Sequence, residues 1–324
     1  MKIRDDQQVI KETDVHQKGF CVVIGGANID IAGVSHADIR MKDSNPGKIT
    51  FSSGGVARNI AENLARLGVE TIFLSCVGND EFGDRILEEC RSSGVDISHV
   101  KVSRDYPTSI YLSLHDKNGE MKLAVNDMEG VSDINRDYLD AHTEILQRAS
   151  VIVADTNLEE NVIEYLLTRY DRIPFFFDAV SAAKVIKLSR FLGRIHTLKP
   201  NRLEAEILTG IKLENDRDQD KAMDFLLEKG VKQVFISLGE EGIYYGNSEK
   251  RTFLKSFPVE VVSSTGSGDA FMGGLVHSYL TEGTIDHAAQ SASCAAHLAL
   301  QCPGAVYKEI SAAMLEHMIK KGVN

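Results

Sequence analysis

Basic side chains are in short supply in this chain: 36 Lys and Arg stand against 47 Asp and Glu over 324 residues, a net charge of −11. A nucleic-acid surface needs clustered Lys and Arg, so no nucleic-acid partner is expected. No run of about 18 apolar residues occurs, which argues against a membrane span or a membrane partner. The opening Met1-Lys2-Ile3-Arg4-Asp5-Asp6-Gln7-Gln8 lacks the apolar segment of a secretory signal. The five cysteines, Cys21, Cys76, Cys90, Cys294 and Cys302, are odd in number and form no C-x-x-C pair. Scattered reduced thiols in a cytoplasmic protein are the expectation. Internal repeats and low-complexity tracts are absent too. What remains is 43% hydrophobic and long enough to bury a large core as one α/β domain.

The densest chemistry lies in Ser263-Ser264-Thr265-Gly266-Ser267-Gly268-Asp269, followed by the small-residue run Ala270-Phe271-Met272-Gly273-Gly274-Leu275. Val259-Glu260-Val261-Val262 before it reads as a strand end, and the run on to Leu280 reads as a buried helix. A Gly-Ser-Gly turn at a helix start aims N–H groups outward at the positive end of the macrodipole, a site for phosphate or another anion. Asp269 in that turn would be repelled by a phosphate, so general base toward a substrate hydroxyl is its natural role. The plainer reading is a tight strand-to-helix turn with an aspartate N-cap.

Three further motifs bear on the choice. Ser53-Gly54-Gly55-Val56-Ala57-Arg58-Asn59 is a second Gly-Gly turn leading into a helix, with small residues that let backbone approach a ligand. In Lys199-Pro200-Asn201-Arg202-Leu203-Glu204, Asn201 and Glu204 share one helix face, a pair suited to a hydrated magnesium ion. Ile236-Ser237-Leu238-Gly239-Glu240-Glu241-Gly242 sets two glycines after an apolar strand.

In this order the four motifs resemble the ribokinase-like family of carbohydrate and nucleoside kinases over residues from about 20 to 310. The resemblance implies a sugar-binding turn at Gly54, Gly55 and Asn59, with Asp30 beside them on the ribose hydroxyls. It implies magnesium and phosphate contacts at Asn201 and Glu204, with Glu204 as the metal ligand. It implies an ATP site along Ser237, Gly239, Gly242 and Thr265. In the same way it makes Gly266, Ser267 and Gly268 an anion hole and Asp269 the catalytic base. Family members often carry an acidic residue where this chain has Ser263, near carbonyls at 299–304 that help hold a monovalent cation. That departure puts potassium activation in doubt. Lys308 offers a fixed charge in its place or is a plain surface lysine.

Short apolar strands alternate with helical segments, among them Phe20–Gly26, Thr71–Gly78, Val151–Asp155, Phe175–Asp178, Ile195–Lys199 and Val234–Ser237. This pattern predicts a doubly wound parallel sheet with helices on both faces. Ligands then sit beyond the carboxyl ends of the strands, where Asn28, Asp30, Asp155, Asn157, Asp178, Asn201 and Asp269 fall. Asn28 and Asn157 are therefore candidate substrate contacts. Residues 1–18 read as a polar extension, and 19–324 as the kinase domain. Two segments, about 35–51 and 106–127, interrupt the rhythm; the second holds an antiparallel hairpin around Lys117-Asn118-Gly119-Glu120. The resemblance makes them a small β lid over the sugar and implies a homodimer through that lid.

The lid segments are similar to the branch of the family that phosphorylates pseudouridine. The implied reaction moves the γ-phosphoryl of ATP to the 5′-hydroxyl of pseudouridine, with Ser44, Asn45 and Asn126 toward the base. Turn chemistry alone also accounts for Asp43-Ser44-Asn45-Pro46-Gly47. Arg58 reaches either a phosphate or the base, or is a solvated helix residue. Two other functions stay in view, namely a ribokinase or other nucleoside kinase of the same fold, and a catalytically silent binding protein.

Overall fold

The computed structural model describes residues 19–281 and 283–322, so the expected polar extension at 1–18 lies outside the described residues. The strands are β1 Cys21–Ile24, β2 Asn28–Ser35, β3 Gly47–Gly54, β4 Thr71–Leu74, β5 Cys76–Gly78, β6 Lys101–Ser103 and β7 Ser109–His115. They continue as β8 Met121–Asp127, β9 Val151–Asp155, β10 Phe175–Asp178, β11 Thr197–Lys199, β12 Gln233–Ser237, β13 Gly242–Gly246 and β14 Arg251–Lys255. Eight of them form one sheet in the order β14-β13-β12-β11-β10-β9-β1-β4.

The six strands from β12 to β4 are parallel, as the apolar runs predict. At the other edge, β13 and β14 turn antiparallel, which the sequence reading did not include. Gly239–Glu241 is only one short turn between β12 and β13, and a parallel return needs a crossover of about a dozen residues. Alternate residues of each buried strand feed different cores. Val22, Ile24, Phe175 and Phe177 pack on one face of the sheet, and Cys21, Val23 and Phe176 on the other. The second face is covered by the helices Val56–Arg66, Ser267–Leu280 and Ile285–Leu300, whose Ile60, Leu64, Met272, Val276 and Ala292 share its core. No helix among the described residues is long and apolar enough to cross a membrane.

A separate four-stranded sheet, β3-β2-β7-β8, stands over the carboxyl edge. It contains the expected hairpin, since β7 and β8 pair antiparallel with Tyr111 opposite Asn126. One of its two inner strands is β2, so the stretch read as the end of the first core strand leaves the main sheet at Gly25 and Gly26. Two other element readings need correction. Thr71–Gly78 is not one strand: it breaks at Ser75, whose hydroxyl donates to the Gly25 carbonyl at 2.7 Å, and β5 then pairs with β6. Val259–Val262 is not a strand end either. Val261 and Val262 are exposed, and the Val262 N–H donates to the Leu300 carbonyl rather than to a neighbouring strand.

Candidate active site

The parallel strands end in charged groups that burial forces together. β9 ends at Asp155, β10 at Asp178 and β11 at Lys199. Asp155 is fully buried and accepts from the N–H groups of Gly26 and Ala57, each at 3.1 Å. It thereby ties the exit of β1 to the start of the helix Val56–Arg66. Asp178 pairs with the Lys199 ammonium at 3.0 Å. Burial alone would lower the lysine pKa, but Asp178, Glu204 and Asp269 outweigh it and hold the ammonium above the ordinary lysine range. Lys199 carried no role in the sequence reading. Its place directly before Pro200-Asn201 at a strand's carboxyl end was the available signal.

Helix Ser267–Leu280 starts at Gly266, which adopts a left-handed φ of 81°. A Cβ there would lie 1.8 Å from the Ala305 carbonyl, so only glycine fits. No side chain caps this helix, and its first-turn N–H groups have no intrahelical partners. Of the expected donors, the Ser267 N–H already donates to the Ser264 carbonyl at 3.4 Å, while Gly268 faces the Lys199 ammonium. The plainer N-cap reading of Asp269 fails, because Gly266 is the cap and Asp269 lies inside the first turn. Its carboxylate accepts from the Asn59 amide at 2.8 Å. Burial and the neighbouring Asp178 push its pKa up to about 7, against the pull of Asn59 and Lys199.

A cavity of about 420 Å³ runs from this turn toward β12 and β13. Its wall includes the expected Ser237, Gly239, Gly242, Ser267 and Gly268, with Lys199 at one end. Apolar Val259, Val261 and Phe271 complete it, which accounts for the exposure of Val261. Thr265, expected on the nucleotide, is exposed outside this wall, its N–H donating to the Ser263 hydroxyl at 3.2 Å.

Asn201 and Glu204 prove to be a reciprocal capping box. The Glu204 N–H donates to Asn201 Oδ1 at 2.9 Å, and the Asn201 N–H donates to Glu204 Oε2 at 2.8 Å. The motif thus has a folding role, and only Oε1 of Glu204 remains free. Among the described residues no three His, Cys, Asp or Glu side chains gather as a metal cage. One free carboxylate oxygen near Lys199, which lines the cavity, still fits magnesium, because that ion keeps several waters and needs few protein ligands.

On the lid side, Asp30 accepts from the Asn28 amide at 2.7 Å, and Gly54 stands opposite Asn28 in register. Burial raises the Asp30 carboxyl, while Asn28 and Arg58 counter it. Tyr111 pairs with Asp30 across β2 and β7, and Asn126 follows on the same face. Gly55 caps the helix Val56–Arg66. Asn157 accepts from Lys184 at 2.5 Å through Oδ1 and borders a cavity of about 350 Å³ with Tyr106 and Met128.

Three expectations on this side are corrected. Asn45 closes its own turn: Oδ1 accepts from the Arg40 N–H at 2.8 Å, and Nδ2 donates to the carbonyls of Arg40 and Asp43, each at 3.0 Å. It borders a groove with Ile31, Ile49 and Leu112, on the lid face opposite Asp30. Ser44 is exposed in the same turn and donates only through its backbone, to Asp43. Arg58 is neither solvated nor aimed at a ligand, because Glu62 and Glu89 hold its buried guanidinium. Asn59 sets its amide between Arg58 and Asp269, which leaves one of its two N–H donors for a ligand.

With a buried carboxylate beside an uncapped helix start, comparison with known proteins decides the family. The sequence profile of the pfkB family carbohydrate kinases matches residues 18–312. The chain belongs to this family. It is a phosphotransferase with an alcohol group as acceptor. Pseudouridine kinase of Escherichia coli strain K12 is 41% identical over 289 residues, covering 89% of this chain and 92% of that protein. Among solved structures, a carbohydrate kinase from Agrobacterium tumefaciens matches with a TM-score of 0.81 at 27% identity, over 94% of this chain and 98% of that one. Arabidopsis thaliana ribokinase, complexed with ribose and ATP, matches with a TM-score of 0.84 over 93% of this chain and 99% of that one. At 22% identity the ribokinase likeness speaks for the fold alone, which is ribokinase-like.

Proposed function

We propose that this kinase transfers the γ-phosphoryl group of ATP to the 5′-hydroxyl of pseudouridine. The observation that carries this reading is the 41% identity to a pseudouridine kinase, which extends over lid and core alike. The Asp269 carboxylate takes the 5′-hydroxyl proton as the oxygen attacks the γ-phosphorus. The O5′–P bond forms, the bond to the bridging oxygen of ADP breaks, and ADP leaves with that electron pair. N–H groups of the turn 266–268 and the Lys199 ammonium face the transferring phosphoryl, where charge builds. Preorganised donors of this kind are worth about 2.7–4 kcal/mol each. Magnesium, when bound, would be held through Glu204 and would neutralise phosphate charge. Asp30 and Asn28 hold ribose hydroxyls; Asn126 and Asn157 are the remaining candidates for the base.

The lid supports a second element of the proposal, a homodimer. On the face opposite Asp30, the side chains of Ile49, Phe51, Leu112, Leu114, Leu123 and Val125 are exposed together. An apolar patch of that kind calls for a partner. We assign it to a second copy of the lid, and the enzyme to the cytoplasm. The reaction is tested by following ADP formation with and without pseudouridine and locating the phosphate by phosphorus NMR. ADP formation dependent on pseudouridine, with a 5′-phosphate product, supports the reading; indifference to pseudouridine or phosphate at another oxygen overturns it.

A further inference from the structure

Arg58 has a buried guanidinium that the proposed reaction leaves without a role. It precedes Asn59 in the first turns of the helix Val56–Arg66, and both residues are nearly inaccessible. One of its terminal nitrogens, Nη2, pairs with Glu62 and lies 3.4 Å from Glu89. The other, Nη1, donates to the Ser53 carbonyl at 3.3 Å and to Asn59 Oδ1 at 3.0 Å. Asn59 Nδ2 in turn donates to Asp269 Oδ2 at 2.8 Å, across 210 residues of chain.

The order of atoms in this chain follows from elementary donor counting. A guanidinium has five donors and no acceptor, so the amide atom facing it must be oxygen. The amide nitrogen is then fixed on the far side, where it can only donate. A free asparagine could turn its amide over whenever Asp269 picks up a proton, because a protonated carboxyl would donate to the amide oxygen. That flip would stabilise the protonated acid and hinder return of the base. With Arg58 in place the flip would leave two donors facing each other.

We infer that Arg58 is a positioning residue for catalysis: it locks the Asn59 amide as a permanent donor to Asp269, which favours the ionised carboxylate. The inference rests on the reading of Asp269 as the base. The other charged groups around Asp269 come from the strand ends, Asp178 from β10, Asp155 from β9 and Lys199 from β11. None of them is touched by a change at Arg58; Asp30, whose ionised form Arg58 also favours, acts through substrate binding, so its titration shows in kcat/KM and the limb is read in kcat. Glu62 also pairs with Arg66 at 2.7 Å, so loss of Arg58 leaves its buried carboxylate with a partner.

The test compares kcat and kcat/KM for pseudouridine from pH 5.5 to 9 in wild type, Arg58→Met and Arg58→Lys, with ATP affinity measured by calorimetry. Both substitutions should move the acid limb to higher pH by about half a unit or more, since a hydrogen bond to the charged form is weakened. Arg58→Lys keeps a charge for Glu62 but lacks the fork that reaches Asn59, so it decides the matter if Arg58→Met does not fold. Turnover at neutral pH should fall by up to about threefold for a half-unit shift and by more for a larger one, with ATP affinity unchanged. An acid limb that superimposes on wild type in the folded variants, or a loss confined to KM, overturns the inference. Wild-type turnover in Asp269→Asn would instead remove the base reading itself, whatever Arg58 does.

Discussion

Replacing Asp269 with Asn should remove turnover and add stability, and the stability gain should grow with pH. Asp269 is buried, and burial together with Asp178 lifts its carboxyl from the ordinary 3.8 to about 7. A group whose folded pKa lies above its unfolded value stabilises the fold fully only below the unfolded value. That contribution is lost as pH rises to the folded pKa. Wild type should therefore lose ground to Asp269→Asn between about pH 4 and 7, with no further change above. At about 1.4 kcal/mol per pH unit, the span from 3.8 to about 7 bounds the effect near 4 kcal/mol. That span already includes the pull of the Asn59 amide and Lys199 on the carboxylate. With roughly 2 °C per kcal/mol for a chain of this size, the gap in Tm should widen by several degrees. Thermal unfolding of the two ligand-free proteins from pH 4.5 to 8.5 reads this directly. kcat of the variant should fall by roughly 10²–10⁴-fold. Parallel Tm curves across that range would refute the reasoning, because they would mean that Asp269 titrates as an ordinary surface carboxyl.

Three further outcomes are expected. Glu204→Gln keeps an acceptor for the Asn201 N–H, so unfolding should change little while the magnesium concentration for half-maximal rate rises; overlapping magnesium titrations would make Glu204 purely structural. Gly266→Ala should destabilise by about 2–5 kcal/mol, from left-handed strain plus the collision with Ala305, and a Tm unchanged from wild type would contradict the turn geometry. Leu123→Glu, on the exposed face of the lid, should convert a dimer to a monomer by sedimentation, and a wild-type monomer would end the dimer proposal.

The parallel core was legible because strands buried on both faces read as unbroken apolar runs, as in Val151–Asp155 and Phe175–Asp178. The helix start at Gly266 was legible because its left-handed φ is a local demand that glycine meets. What failed to show depends on contacts far apart in sequence. Arg58 reads as a phosphate or base contact or as a solvated helix residue until the fold places Glu89 beside it. The tie of Asn59 to Asp269 shows only once helix Ser267–Leu280 brings the carboxylate to its amide. Asn45 looks like a recognition residue, yet its hydrogen bonds are all local, and local turn chemistry won. The antiparallel edge was missed because connection length, not strand composition, sets the direction of β13.

The central claim is the identity of the acceptor. Pseudouridine differs from uridine by a carbon–carbon glycosidic bond, which leaves an extra N–H donor on the base. A buried acceptor for that donor discriminates strongly, because it stays unpaired when the analogue binds. The decisive measurement is kcat/KM of the purified enzyme for pseudouridine, uridine and ribose under one set of ATP and magnesium conditions. The account predicts at least about a tenfold preference for pseudouridine over both. Equal efficiency on uridine, or a preference for free ribose, would contradict it.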